Sequence, residues 1–184
     1  MSARVASAPY QHLPNALTIM RLALIPVFVA VLIAADGGRS WFAAIIFGIA
    51  GVSDQVDGWL ARRWRVESAF GKVADPLADR LMIDAGVILL VAVHHRLPWV
   101  ALALILVRDA LLIGGYKLFV PRGYELSVNF LGKAATWLLY AALAFVMVTH
   151  EGTDWPLWIF WVGLALALGA GALYLMAAMR AVQR

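Results

Sequence analysis

Residues 54–79 read DQVDGWLARRWRVESAFGKVADPLAD, and this stretch joins two strongly apolar runs through a basic loop. Four aspartates punctuate it: Asp54, Asp57, Asp75 and Asp79. Asp54 and Asp57 are three apart and Asp75 and Asp79 four apart, so each pair shares one face of a helix. A carboxylate costs several kcal/mol at the centre of a bilayer, on the order of 3 or more, and converging carboxylates repel one another as well. A divalent cation relieves both costs, because hard cations take oxygen ligands. The two pairs, brought together by a loop of limited length, suit a two-metal site built from Asp54, Asp57, Asp75 and Asp79. Between them, Gly58 lets a ligand approach the backbone, Arg62 presents a planar fork suited to phosphate, and Gly71 leaves room at the entrance to the next apolar run.

The surrounding composition decides the class. Of 184 residues 64% are hydrophobic and 14% charged, more apolar surface than a soluble domain of this size can hide. Six apolar runs follow one another, at approximately 16–35, 41–60, 73–93, 98–119, 128–149 and 155–178, each near the length that the hydrocarbon core requires. Backbone polar groups in lipid must be satisfied within the segment, so each run is expected to be a helix. The fold class is therefore an all-α integral membrane protein with six transmembrane helices, forming a single domain over 1–184 with an N-terminal juxtamembrane segment at 1–15. The first run is too long for a signal peptide, and five more follow it.

Loop charge sets the orientation. Arg62, Arg63, Arg65 and Lys72 lie between the second and third runs, Lys117 and Arg122 between the fourth and fifth, and Arg180 and Arg184 in the tail. The opposite loops carry only Arg39 and Arg96, with Glu151 and Asp154 in the last. Both termini and the aspartate run are thus expected on the cytoplasmic side. Trp41, Trp99, Trp155 and Trp158 fall at the far ends of the runs, where interfacial anchors belong. The net charge of +4 fits contacts with anionic headgroups, and no basic patch interleaved with aromatics points to nucleic acid. The absence of cysteine excludes disulfides and thiolate chemistry. Gly114, Gly115, Gly163, Gly169 and Gly171 suggest close helix approach, within one chain rather than across a dimer seam.

The spacing Asp54-x2-Asp57-Gly58-x2-Ala61-Arg62-x8-Gly71-x3-Asp75-x3-Asp79 resembles, position by position, the signature of the CDP-alcohol phosphatidyltransferases. The likeness continues in Pro14-Asn15-Ala16-Leu17-Thr18 with Arg21, similar to the family's first-span motif, and in Gly132-Lys133-Ala134-Ala135-Thr136, similar to its fifth. The resemblance implies a six-helix membrane enzyme, usually a homodimer, that transfers a phosphatidyl group from CDP-diacylglycerol to an alcohol and releases CMP. It implies that Asp54, Asp57 and Asp75 hold Mg²⁺ or Mn²⁺, and that Asp79 joins the site and acts as general base on the acceptor hydroxyl. Gly58 and Arg62 would then belong to the nucleotide and pyrophosphate pocket, with Ala61 and Gly71 permitting close approach. Asn15 and Thr18 would contribute from the first span.

For the acceptor, Arg108, Lys117 and Lys133 are the candidate cations. Arg108 and Asp109 lie inside the fourth run, where an ionisable pair is costly enough to suggest function. A pairing of Arg108 with Asp109 or Asp84 is the structural alternative, as is interfacial snorkelling for Lys133. Asp84, outside the signature, is read as a salt-bridge partner. Phosphatidylglycerophosphate synthases typically carry Arg-Glu in this run and a second Arg eight residues on. Here Arg108-Asp109 is followed by Tyr116 and Lys117, and Arg-Asp-x-Leu111-Leu112-Ile113-Gly114 looks more like the cardiolipin synthases of eukaryotic type. Phosphatidylglycerol is therefore the expected acceptor, with glycerol 3-phosphate the competing one. A transporter is the rival from another class. It fits poorly, because the aspartates lie toward one face and no repeat is present.

Overall fold

The computed structural model describes the backbone over residues 13–64, 69–119 and 130–182; the side chains at 13–15, 54–76, 116–119, 178 and 180–182 lie outside the described set. Among the described residues there are six α-helices: α1 (Leu13–Ile33), α2 (Trp41–Trp64), α3 (Ala69–Ala92), α4 (Trp99–Phe119), α5 (Phe130–Val148) and α6 (Trp155–Val182). One short 3₁₀ turn, Asp36–Gly38, separates α1 from α2. Residues 1–12 of the expected juxtamembrane segment lie outside the described residues.

Among the described residues, three helices are long and apolar enough to cross a membrane: α1 over Ala16–Ile33, α5 over Phe130–Val148 and α6 over Trp155–Ala177. The part of α2 whose side chains are described, Trp41–Ser53, is apolar as well. The helices α2, α3 and α4 carry the ionisable residues of the candidate site. Large apolar side chains also face outward on them, including Phe42, Ile45, Ile49 and Val52 on α2 and Leu106 and Val107 on α4. Water would not tolerate that surface, and lipid does, as expected of an integral membrane protein.

Inside, α5 and α6 pack along each other, α1 lies against α2 and α3, and α4 bridges α3 and α6. A buried aromatic ladder runs through the centre, with Phe28 of α1 5.2 Å from Phe47 of α2 and Phe47 4.8 Å from Tyr140 of α5. Of the glycines that suggested close approach, two deliver it. A Cβ on Gly163 would stand 3.0 Å from Leu138 on α5, and one on Gly115 would stand 2.9 Å from the Tyr174 ring on α6. Gly114, Gly169 and Gly171 have no such neighbour among the described residues.

At one end three of the connections between consecutive helices meet, at residues 34–40, 93–98 and 149–154. Arg96 reaches across all of them: Nη1 donates to Gly37 O (3.1 Å), and Nη2 to Thr149 O (3.1 Å) and His150 O (3.2 Å). Arg39 Nε donates to Val148 O, His94 Nε2 lies 2.8 Å from Leu32 O, and Ser40 N donates to Met147 O. Gly37 and Gly38 take φ +54° and +68°, and a Cβ on Gly38 would lie 2.8 Å from His94, so only glycine fits this crossing. Ser40 caps α2 by accepting from Ala43 N at 3.1 Å. Pro156 stands in the first turn of α6, where its missing N–H costs nothing. Trp41, Trp99, Trp155 and Trp158 are all exposed at this end, the position the sequence assigned to them.

Candidate functional site

The signature falls on two continuous helices. Asp54, Asp57, Gly58, Ala61 and Arg62 occupy the second half of α2, and Gly71, Asp75 and Asp79 the first half of α3, joined through residues 65–68. Each aspartate pair is thus separated by about one helical turn. The side chains of Asp54, Asp57, Ala61, Arg62 and Asp75, and the surroundings of Gly58 and Gly71, lie outside the described residues. So do the side chains of Asn15 on α1 and Lys117 on α4.

Asp79 is described, and four helices converge on it. Its carboxyl group is approached by the Tyr140 phenol from α5, and the charges acting on it are Arg21 of α1, Arg108 of α4 and the adjacent Arg80. Its Oδ1 is enclosed, with no hydrogen-bond partner among the described residues. Arg21 is completely buried, as is Thr18 one turn earlier on the same helix. A buried guanidinium requires a counter-charge, and Asp79 supplies one.

Tyr140 can lie beside Asp79 because of a notch in α2. A Cβ on Gly51 would stand 2.7 Å from the Tyr140 ring, closer than side-chain atoms approach. Gly51 is one turn before Asp54, so the notch and the signature share a helix. Just ahead of Asp54, Ser53 Oγ donates to Ala50 O at 2.8 Å. Sequence reasoning assigned no role to Gly51 or Tyr140, and quoted Arg21 only as part of a motif. The available signal was a polar-tipped aromatic within an apolar run, which by itself reads as core.

On α4, Arg108 and Asp109 are both buried and bonded to each other. Nε and Nη2 of Arg108 both donate to Asp109 Oδ1, at 2.9 and 2.7 Å. Arg108 thus makes the ion pair that was the structural alternative to acceptor binding, with its sequence neighbour, while Asp84 of α3 approaches both partners. Residues i and i+1 of a helix point apart, so this contact requires the long Arg108 side chain to fold back. That fixes where the guanidinium stands. Lys133 of α5 is exposed.

A carboxylate with an enclosed, unpartnered oxygen can accept a proton from a hydroxyl group or ligate a cation. Among the described residues no three acidic or histidine side chains gather in a metal-binding group. The three remaining signature carboxylates lie outside that set.

Comparison with known proteins agrees with this chemistry. The profile of the CDP-alcohol phosphatidyltransferase family matches residues 11–169. The chain is 34% identical to the CDP-diacylglycerol--glycerol-3-phosphate 3-phosphatidyltransferase of Bacillus subtilis (strain 168), over 80% of this chain and 86% of the relative. It is 35% identical to the cardiolipin synthase (CMP-forming) of Streptomyces coelicolor, over 98% of this chain and 88% of the relative. The CDP-diacylglycerol--glycerol-3-phosphate 3-phosphatidyltransferase of Escherichia coli (strain K12) is 32% identical, over 89% of each chain. Similarity of this kind does not divide the two named activities.

Proposed function

The chain belongs to the CDP-alcohol phosphatidyltransferase family, and on that premise we propose that it transfers the phosphatidyl group of CDP-diacylglycerol to phosphatidylglycerol, forming cardiolipin and releasing CMP. The acceptor hydroxyl attacks the phosphorus that carries diacylglycerol, and the bond from that phosphorus to the CMP phosphate oxygen breaks. The observation that carries the reaction is Asp79, whose enclosed Oδ1 has no partner among the described residues and lies in a pocket of guanidinium charge.

Asp79 is the base in this reading. It takes the proton of the acceptor hydroxyl as the oxygen–phosphorus bond forms, a role worth roughly 10²–10⁴ in rate. Tyr140 holds the carboxylate's orientation from α5. Gly58, Ala61, Arg62 and Gly71 form the nucleotide and pyrophosphate pocket, with Asn15 and Thr18 closing it from α1. Arg108, Lys117 and Lys133 serve the anionic acceptor. Asp54, Asp57, Asp75 and Asp79 would hold Mg²⁺ or Mn²⁺. The unpartnered Asp79 oxygen fits such a role, being a hard donor that lacks a protein hydrogen bond. When bound, the ions neutralise charge on the pyrophosphate and the leaving group.

The chain crosses the bacterial plasma membrane six times in this reading, with both termini and the site on the cytoplasmic side, and it pairs as a homodimer. The basic loops at 62–72 and 117–122 and the exposed tryptophans at the opposite end support the orientation. The second reading takes glycerol 3-phosphate as acceptor, as the names of the B. subtilis and E. coli relatives favour.

One assay tests both. Purified protein is given CDP-diacylglycerol, Mg²⁺ or Mn²⁺, and each acceptor in turn, with CMP release and the lipid product measured. Release that depends on phosphatidylglycerol and stops on chelation is expected. Well-folded protein that releases no CMP with any alcohol would sink the enzyme reading.

A further inference from the structure

Arg108 lies buried in α4, and what fixes it stands outside the signature. Its Nε and Nη2 both donate to Oδ1 of the buried Asp109, at 2.9 and 2.7 Å. Asp109 is in turn hydrogen-bonded, carboxyl to carboxyl, to Asp84, where α4 packs on α3. The Arg108 charge acts on Asp84 and also on Asp79. A chain of contacts therefore runs from Asp84 through Asp109 to Arg108, and ends beside the site carboxylate.

Two carboxyl groups bond to each other only when one of them carries a proton. Asp109 takes both guanidinium bonds, and charge-assisted bonds of that kind favour the ionised acceptor. Asp109 is then the carboxylate, and Asp84 is the O–H donor that ties it to α3. This tie accounts for the fold-back of Arg108. Neighbouring side chains on a helix diverge, so a pair at i and i+1 keeps one geometry only if something outside the helix holds it. Anchored through Asp84, Asp109 stands at a fixed height, and a guanidinium bonded to it at two points cannot swing. The bonds occupy Nε and Nη2, which leaves the Nη1 edge for a ligand.

We propose that Asp84 and Asp109 are positioning residues, holding the Arg108 guanidinium where α3 meets α4 so that its Nη1 edge meets the anionic group of the acceptor beside Asp79. This rests on the reading of Arg108 as an acceptor cation. It applies to both candidate acceptors, since each presents a phosphate oxygen. Neither aspartate touches the acceptor. Asp84 serves as a neutral donor, so an amide N–H at the same place can replace it, whereas a methyl group cannot.

The test measures KM and kcat for the alcohol that wild type accepts, together with CDP-diacylglycerol binding, in Asp84→Asn, Asp84→Ala, Arg108→Gln and the double variant Asp84→Ala/Arg108→Gln. Asp84→Ala should raise the acceptor KM by about tenfold, with kcat and CDP-diacylglycerol binding close to wild type. Asp84→Asn should restore the wild-type KM. In the double variant, Asp84→Ala should add nothing to the loss from Arg108→Gln, as expected of a residue that acts through another. If the Arg108 variants do not fold, the contrast between Asp84→Asn and Asp84→Ala decides alone. Equal losses in those two overturn the inference, because the carboxylate itself would then be needed. An unchanged acceptor KM in Asp84→Ala with a lowered melting temperature also overturns it and leaves Asp84 a packing residue. An unchanged KM in Arg108→Gln overturns it while sparing the transferase reading. A wild type that releases CMP with no alcohol overturns both.

Discussion

The two ends of the helical bundle treat their polar groups in opposite ways. Around residues 34–40, 93–98 and 149–154, side chains are matched to backbone carbonyls of other loops, as Arg96, Arg39 and His94 show. Toward the signature, Asp79 keeps an enclosed oxygen that no described residue satisfies, and Asp84 and Asp109 set two carboxyl groups against each other. A polar group satisfied within the protein contributes to stability, whereas one left unsatisfied costs stability and is available to a ligand. Stability and chemistry are thus separated along the bundle axis.

Substitutions can break that division. The largest effect should come from Asp79→Asn, which keeps shape but removes the base. CMP release should fall by about 10²–10⁴ while CDP-diacylglycerol binding largely survives. If lipid-nucleotide binding is lost as well, Asp79 acts chiefly as a ligand or support. Gly51→Ala should sharpen the picture, because its Cβ displaces Tyr140 from the site carboxylate. A turnover loss of about tenfold is expected, with roughly 1–3 kcal/mol of overpacking read in thermal unfolding. Unchanged turnover would show that Tyr140 only fills space. The smallest effect on catalysis should follow Arg96→Ala, which removes three hydrogen bonds at the tied end. Stability should drop by about 2 kcal/mol, with KM for CDP-diacylglycerol unaltered. An altered KM with an unchanged melting temperature would reverse the assignment of the two ends.

Much of this was legible in residue order because the signals were local. Apolar length gave the helices, and fixed spacing gave the aspartate motif, since both follow from helical periodicity. The helix ends were less legible. α1 begins at Leu13 and α6 runs to Val182, beyond the expected 16 and 178, because apolarity marks where lipid ends while Ala, Met and Arg continue a helix into water. The contact of Gly51 with Tyr140 depends on how α2 and α5 register against each other, which neither helix encodes alone. Arg96 counted only as one basic residue on a sparsely charged loop, because its acceptors are backbone carbonyls, which every residue has. Likewise, the fold-back of Arg108 onto Asp109 opposes the usual divergence of neighbouring side chains.

The Arg96 contacts also bear on the order of assembly. Residues 34–40, 93–98 and 149–154 each link the two arms of one helical hairpin, and Arg96 belongs to the middle hairpin. Docking of α3–α4 onto α1–α2 provides Gly37 O, but Thr149 O and His150 O arrive only with α5–α6. A chain stopped before α5 therefore leaves two of these three bonds unmade, and it also lacks Tyr140 beside Asp79. Arrival of the last hairpin thus locks the far end and completes the surroundings of the base in the same event.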